Sequence, residues 1–333
     1  MKAFKISAKT ALEALVLSEL AEPVPGPGEV LIRLRAAALN RRDLGMFDWE
    51  PDVGFVLGAD GAGLVEAVGT GVEEWAPGAG VIINPALDWG ESEEAFGPAF
   101  SILGYPQDGT FAEAVVVPAE NLAPRPAHLS WEEAAALPLG GLTAFRAVMV
   151  RAQVRPGERV LIHGIGGGVA HFALQFAKAA GARVMVTTTV EEKAARAREL
   201  GADLAVNARA VDWMEAARDW TDGTGVDVVI DSVGGELYAA SALALRPGGR
   251  LVNYGTTLST HASVDVETLF WHQLNLLGST MGSPRDFASM LEMVARTGIK
   301  PIIDSIWPLA DGRRALQHLA QGRQFGKIVL QIE

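Results

Sequence analysis

The chain has 333 residues, enough for two domains, and its 49 % hydrophobic and 20 % charged residues predict a globular protein with a sizeable core. The net charge of -12, without a basic run, would repel phosphate backbones, so a nucleic-acid partner is not expected. Because the chain has no cysteine, disulfides, thiolate nucleophiles and cysteine-ligated zinc or iron sites are excluded.

The first part of the chain, to about residue 124, is predicted to form β structure with many turns. A stretch rich in proline and glycine at 23–29 leads into the first of these strands. The predicted strands are 30–35, 64–69, 81–83 and 111–117. Asp43 is expected to cap a short helix between the first two of them.

Helical patterns begin at Ser130, an N-cap residue that forms a capping box with Glu133. The chain is predicted to be helical from there to Val150, in two pieces hinged near 138–141. Short apolar strands then alternate with helices. The predicted strands are 160–162, 183–187, 204–207, 226–231, 250–254 and 274–281. Six strands with intervening helices predict an α/β fold with a doubly wound parallel sheet.

The end of the chain is predicted to leave this sheet. The predicted elements of the tail are a helix at 287–295, a short β segment at 302–306, a helix at 312–320 and a closing strand at 327–331.

The most informative segment runs from Val160 to Ala170 and reads as a buried strand, a glycine turn and the start of a helix. Glycines allow a sharp turn and let the backbone approach a bulky anion closely. The following helix has apolar residues at helical spacing, and its first N–H groups would face whatever the glycines hold. With the strand at 183–187, this is one βαβ unit, the context in which a glycine pattern indicates dinucleotide binding.

Motifs along essentially the whole chain resemble those of the medium-chain dehydrogenase/reductase superfamily, in its branch of zinc-free quinone oxidoreductases and alcohol dehydrogenase-like proteins. The matching segments include 25–30, 36–40, 58–71, 109–113, 132–138, 142–144, 192–203, 231–235, 247–252 and 278–282. The resemblance implies a Rossmann domain and a GroES-like β-rich catalytic domain. The implied boundaries are 1–124 for the first part of the catalytic domain, 125–281 for the Rossmann domain and 282–333 for the return.

The resemblance also implies how a cofactor is held, with the fingerprint glycines falling on Gly164 to Gly168. After the second strand this chain has Thr187, Thr188 and Thr189 instead of an acidic residue, so no carboxylate would repel a 2′-phosphate, and Thr189 and Lys193 favour NADPH. The expected cofactor-binding residues are Thr143, Gly164, Gly166, Gly167, Gly168, Val169, Thr188, Thr189, Lys193, Ser232, Tyr254, Gly255 and Lys327. Lys327 is expected to reach the pyrophosphate, whereas His163 and His171 are interpreted as structural.

A catalytic zinc is not expected. Zinc-dependent relatives place their ligands at the positions of Asn40, Ala59 and a residue near Leu139, none of which is a strong ligand here. The lobe of a structural zinc in those relatives matches Trp89 to Gly104, which lacks cysteine.

Without a metal, the reaction that remains easiest is hydride delivery from NADPH to a quinone or an α,β-unsaturated carbonyl. The expected catalytic residues are Asn40 and Tyr254, as hydrogen-bond donors. The amide of Asn40 could hold either the substrate oxygen or the nicotinamide ribose. Trp49, Trp271 and His272 are candidates for the pocket lining. Two alternatives stay open: an alcohol dehydrogenase acting on an alcohol or aldehyde, and an NADPH-binding protein with little catalysis.

The expected partner is a second copy of the chain. An apolar last strand at the edge of the sheet is a pairing hazard unless covered, and relatives cover it by forming a dimer. No apolar run is long enough to span a membrane and the N-terminus lacks a signal segment, so a cytoplasmic protein is expected.

Overall fold

The computed structural model describes residues 1–7, 12–46 and 54–333. It divides into two compact units, unit 1 (1–142 and 282–333) and unit 2 (143–281). Along the sequence, the units are separated after Leu142 and after Met281. The helix that begins at Trp131 belongs to unit 1, because it packs on strands of that unit.

The strands are numbered along the chain. They are β1 (Lys2–Ile6), β2 (Leu15–Glu19), β3 (Glu29–Ala38), β4 (Asp60–Val68), β5 (Gly80–Ile83), β6 (Ala86–Leu87), β7 (Ser101–Ile102), β8 (Ala114–Pro118), β9 (Leu122–Pro124), β10 (Arg159–Ile162), β11 (Arg183–Thr188), β12 (Leu204–Asn207), β13 (Val226–Asp231), β14 (Leu245–Asn253), β15 (Asn275–Gly278), β16 (Ile303–Pro308) and β17 (Lys327–Gln331).

The helices are numbered in the same way. They are α1 (Arg41–Gly45), α2 (Trp131–Ala136), α3 (Pro138–Phe145), α4 (Gly168–Ala179), α5 (Glu191–Glu199), α6 (Trp213–Trp220), α7 (Gly235–Leu243), α8 (Val266–Trp271), α9 (Pro284–Thr297) and α10 (Gly312–Ala320). A π-helical turn, Arg146–Arg151, follows α3. In the described residues, none of the helices has the length and apolar character needed to cross a membrane.

Unit 1 is built on a sheet in the order β16-β17-β3-β4-β5-β9, with β8 also paired to β3. The tail strand β17 runs antiparallel to β3, which is why residues after 282 belong to this unit. Asp43 was predicted to cap a short helix, and the helix is present as α1. The N-cap residue is Asn40 instead; Asp43 is the third residue of the helix, and its carboxylate accepts from the backbone N–H of Asn40, as in a capping box.

The segment that matches a structural-zinc lobe is organised by aromatic rings. Trp89 is buried and meets Phe96 and Phe100 edge-on, with centroids 5.9 and 5.3 Å away, while Phe96 and Phe100 stack at 4.6 Å. Ser283 donates a hydrogen bond of 2.5 Å to Glu93 and so joins this segment to the start of α9. Aromatic contacts of this kind give the segment an apolar core of its own.

Unit 2 is a six-stranded sheet in the order β12-β11-β10-β13-β14-β15, and every neighbouring pair is parallel. Its central strands are fully buried, as Val160, Leu161 and Ile162 in β10 illustrate. Near-continuous apolar runs are typical of parallel strands covered on both faces. This confirms the α/β doubly wound class, with a separate β-rich unit.

The edge strand β15 is shorter than predicted and only half-buried. The helix before it, α8, buries none of its residues. Val266, Phe270 and Trp271 expose 68 %, 62 % and 75 % of their surfaces, so the helix that precedes the last strand of the sheet order presents three large apolar side chains to solvent.

The interior of unit 2 holds a fully buried imidazole. His163 at the end of β10 hydrogen-bonds through Nδ1 to Thr187 Oγ1 (2.8 Å) and through Nε2 to Ser241 Oγ (2.9 Å), and it meets Trp213 edge-on. Burial lowers the pKa of His163 to about 4. The ring is therefore neutral at physiological pH and serves packing, in agreement with its structural interpretation.

This histidine predicts a loss of stability in acid. In the unfolded chain its pKa is near 6.5, so between about pH 6.5 and 4 the unfolded state binds a proton that the folded state does not. The contribution is complete above pH 6.5 and falls by about 2 kcal/mol at pH 5. Urea unfolding at pH 7.5 and 5.0 should show this loss in the wild type but not in His163→Gln. His261→Gln, in an exposed loop, is the control, and equal pH dependence in all three proteins would contradict the prediction.

Candidate active site

The glycine turn of unit 2 has a backbone that only glycine adopts readily. Gly164 and Gly166 have φ angles of 72° and 146°, and Gly167 is the N-cap of α4. The turn thus directs the chain from the end of β10 straight into the helix. Gly168 and Val169 form the first turn of α4, where N–H groups lack partners within the helix.

The turn fits a dinucleotide pyrophosphate. A Cβ atom built on Gly164 would meet no atom of the described residues within 4 Å, so a ligand can approach the backbone there. Gly167 offers no side chain to cap the helix, which leaves the N–H groups and the positive end of the helix dipole for an anion.

The residues expected to contact the 2′-phosphate or 2′-hydroxyl of the cofactor's ribose lie at and just after the end of β11. Thr188 is buried and its hydroxyl accepts from the backbone N–H of Val190 (3.3 Å). Thr189 is exposed, and Lys193 is half-buried in the first turn of α5. No carboxylate stands between Thr188 and Val190, as the sequence already indicated.

Three of the predicted cofactor-binding residues follow the ends of β13 and β14: Ser232, Tyr254 and Gly255. Asp231 is buried and accepts from the N–H groups of Val233 and Gly234 and from the side chain of Asn253. This carboxylate therefore orders the turn that contains Ser232.

Tyr254 and Gly255 follow β14 directly. Burial raises the pKa of the Tyr254 hydroxyl to about 12, Asp231 also raises it, and a hydrogen bond with Ser232 lowers it. The phenol is therefore neutral at physiological pH and can act as a hydrogen-bond donor but not as a base.

Thr143 is buried at the start of unit 2, where its hydroxyl lies 3.8 Å from the sulfur of Met281.

Unit 1 holds a buried polar group that we call the Lys327 cluster: Asn40, Asp60 and Lys327. Lys327 is 2 % exposed, and its Nζ donates to Leu39 O (2.7 Å), Asn40 Oδ1 (2.6 Å) and Asp60 Oδ2 (2.9 Å). Asn40 Nδ2 in turn donates to Asp60 Oδ2 (2.9 Å). All three N–H bonds of the ammonium are thus used.

Sheet register assembles this cluster. Ala38 at the end of β3 pairs with Asp60 on one side and with Val329 on the other. Two residues further along, in the same register, Asn40 lies beside Lys327. The other carboxylate oxygen, Asp60 Oδ1, accepts from the backbone N–H of Leu139 (2.7 Å). Asp60 is therefore satisfied on both oxygens although it is completely buried.

A second carboxylate lies behind Asn40. Asp43 is fully buried, and its Oδ2 accepts from Asn40 N (2.7 Å). Burial raises the pKa of Asp43 to about 6, although Arg42, the Asn40 N–H and Lys327 all lower it. Arg42 donates to Leu103 O (3.0 Å), and burial lowers its pKa. The backbone of Asn40 is thus fixed as firmly as its side chain.

Sequence reasoning selected two of the three cluster residues, Asn40 and Lys327, but it assigned Lys327 to the pyrophosphate and missed Asp60. The signal for Asp60 was present, since an isolated acid among small apolar residues (57–63) needs a buried partner. Trp49 lies outside the described residues, and Trp271 is largely exposed.

The residues present do not fit a catalytic zinc. Asn40 is held by Lys327 and Asp60, Ala59 offers only a methyl group, and Leu139 contributes its backbone N–H, which is a donor. Across residues 1–7, 12–46 and 54–333, no group of three His, Cys, Asp or Glu side chains is arranged to hold a metal. The positively charged side chain of Lys327, which lies among these oxygens, also opposes the binding of a metal cation there.

Comparison with known proteins agrees with the two units. The zinc-binding dehydrogenase family matches residues 168–296, and the alcohol dehydrogenase GroES-like domain matches residues 26–127. A zinc-type alcohol dehydrogenase-like protein of Schizosaccharomyces pombe is 35 % identical over 319 residues, which cover 92 % of each chain.

Solved structures show the same likeness. An NAD-dependent alcohol dehydrogenase superposes with a TM-score of 0.94 at 40 % identity, covering 100 % of both chains. A 2-octenoyl-CoA carboxylase reductase in complex with NADP and 2-octenoyl-CoA superposes with a TM-score of 0.90 at 26 % identity, covering 99 % of this chain and 87 % of the other. The chain belongs to the medium-chain dehydrogenase/reductase superfamily.

Proposed function

We propose that this protein reduces a quinone or an α,β-unsaturated carbonyl with NADPH and without zinc. Family membership already makes it an NAD(P)-dependent oxidoreductase. The observation behind the zinc-free part of the proposal is the Lys327 cluster. Asn40, where the resemblance places a zinc ligand in zinc-dependent relatives, is here hydrogen-bonded to Lys327 and Asp60. Making an alkoxide from an alcohol near neutral pH calls for a Lewis acid, whereas an enone or quinone is already polarised.

In this proposal, residues of unit 2 bind the cofactor and Asn40 of unit 1 binds the substrate oxygen. A bound NADPH would supply a hydride to the electron-poor carbon of the acceptor. The glycine turn and the N-terminus of α4 would hold its pyrophosphate, and Thr143, Tyr254 and Gly255 would hold its nicotinamide half. Asn40 has a second Nδ2–H that has no partner in the described part of the chain, and this group donates to the substrate oxygen as negative charge develops there. Solvent then supplies the proton that completes the reduction.

A second candidate is an alcohol dehydrogenase activity. It is favoured by the 40 % identity to an NAD-dependent alcohol dehydrogenase over the whole chain. The 2-octenoyl-CoA complex supports the first candidate, since that ligand is an α,β-unsaturated thioester. The two differ in their need for a metal, so one experiment separates them.

The separating experiment is a substrate screen before and after exhaustive dialysis against a zinc chelator. NADPH oxidation should appear with quinones, enals, enones or enoyl thioesters. Chelation should leave the rate within about twofold, because the side-chain oxygens of the Lys327 cluster already accept hydrogen bonds within unit 1. With NADP⁺ or NAD⁺ supplied as the hydride acceptor instead of NADPH, simple alcohols should not be oxidised. Alcohol oxidation that chelation abolishes and added Zn²⁺ restores would establish the second candidate instead. NADPH binding without turnover on any of these compounds would indicate a binding protein.

The preference for NADPH rests on the end of β11. Thr189→Asp places a carboxylate where it would repel a 2′-phosphate and accept from a ribose 2′-hydroxyl. We expect kcat/KM for NADPH to fall by about 10- to 100-fold, which corresponds to about 1.4 to 2.8 kcal/mol, and kcat/KM for NADH to be unchanged or higher. Steady-state kinetics with both cofactors checks this. A wild type that already prefers NADH would contradict the assignment.

Dimerisation through β15 belongs to the same proposal, supported by the open edge and the exposed residues of α8. In sedimentation equilibrium at micromolar concentration, the wild type should have twice the mass of one chain. Phe270→Glu with Trp271→Glu should yield monomers, since two charges would have to be buried at the interface. Val24→Glu, at an exposed apolar residue of unit 1, is the matched control and should remain a dimer. A monomeric wild type would refute this part.

A further inference from the structure

The side-chain amide of Asn40 has only one orientation that its neighbours allow. Its Oδ1 lies 2.6 Å from the Lys327 ammonium, which can only donate, and its Nδ2 lies 2.9 Å from the Asp60 carboxylate, which can only accept. Rotating the amide by 180° would set N–H against ammonium and oxygen against carboxylate. Both contacts would be repulsive in a buried setting, so the amide is locked.

Lys327 has no N–H left for another acceptor. Its three donors are used by Leu39 O, Asn40 Oδ1 and Asp60 Oδ2, and its side chain is almost fully buried within unit 1. A phosphate ligand would have to replace one of these short, charge-assisted bonds. The contacts therefore favour a role toward Asn40 over the role toward a pyrophosphate.

Asp60 completes the arrangement. Its Oδ2 accepts from both Lys327 and Asn40, while Oδ1 is occupied by the Leu139 N–H. The ammonium and the carboxylate neutralise one another, so the amide is held between opposite charges without a net charge being added beside the substrate.

We propose that Lys327 is a positioning residue, whose ammonium group fixes the Asn40 amide so that its second Nδ2–H is presented to the substrate oxygen. This inference rests on the proposed function, in which Asn40 is the donor. It gives the basic residue of the closing strand a task in transition-state stabilisation, separate from cofactor binding. Preorganised donors of this kind stabilise developing charge because they need not reorient during the reaction.

Kinetics of Lys327→Met distinguishes the two roles. With an accepted enone or quinone, kcat should fall by about 100-fold, the size seen when one oxyanion donor is lost. The Kd for NADPH, measured by fluorescence titration, should stay within about twofold. Lys300→Met, which breaks the exposed ion pair with Glu133, is the matched control and should leave both quantities unchanged. A Kd raised tenfold or more with kcat intact would overturn the proposal in favour of pyrophosphate binding.

A double-variant cycle tests whether Lys327 acts through Asn40. Adding Lys327→Met to Asn40→Ala should cost no further activity, because the amide to be positioned is gone. Additive losses would contradict the proposal. Since Lys327→Met leaves Asp60 buried without its cation, the neutral pair Lys327→Met with Asp60→Asn is measured in parallel, with the same loss of kcat expected.

A spectroscopic measurement on the wild type tests the inference apart from activity. The chain has six asparagines, so selective ¹⁵N-asparagine labelling gives a simple set of side-chain amide signals. One Asn40 proton, bonded to Asp60, should exchange slowly with solvent and the other rapidly. Two rapidly exchanging protons would overturn the positioning role. Absence of turnover with normal amide protection would instead count against the proposed function alone.

Discussion

The structure of unit 1 depends on one buried contact, the ammonium of Lys327 against the carboxylate of Asp60. Both groups are almost completely removed from solvent, and such charges are tolerated only when each is paired and hydrogen-bonded. The pair joins the first residue of β4 to the first residue of β17, and it holds the chain as it leaves β3. Residues far apart in sequence are thereby fixed at one point of the sheet.

The two units hold their polar partners by different physical means. In unit 2 the backbone supplies the binding groups, since a glycine turn and an uncapped helix N-terminus present N–H groups and the helix dipole to an anion. In unit 1 side chains do it, with a lysine, an aspartate and an asparagine satisfying one another. The first arrangement suits a ligand that comes and goes. The second is complete before any ligand arrives.

Much of this could be predicted from the sequence, and the limits have physical causes. The strands of unit 2 are short apolar runs with helices between them, so local pattern was enough. β1 and β2 were not predicted, because their pairing joins distant residues such as Phe4 and Leu17. The start of α9 was placed too late, although Ser283 and Asp286 form a capping box with proline at the first helical position. The partners of Lys327 follow from sheet register, which no local pattern encodes.

The cation at the heart of unit 1 is covalently part of the chain. A metal-dependent site must acquire its ion from the surroundings, and its occupancy follows the free concentration of that ion. The ammonium of Lys327 arrives with the polypeptide, at a fixed stoichiometry of one for each folded molecule. Because the lysine is incorporated during translation, neither a shortage of metal nor competition from other ions can leave this position without its positive charge.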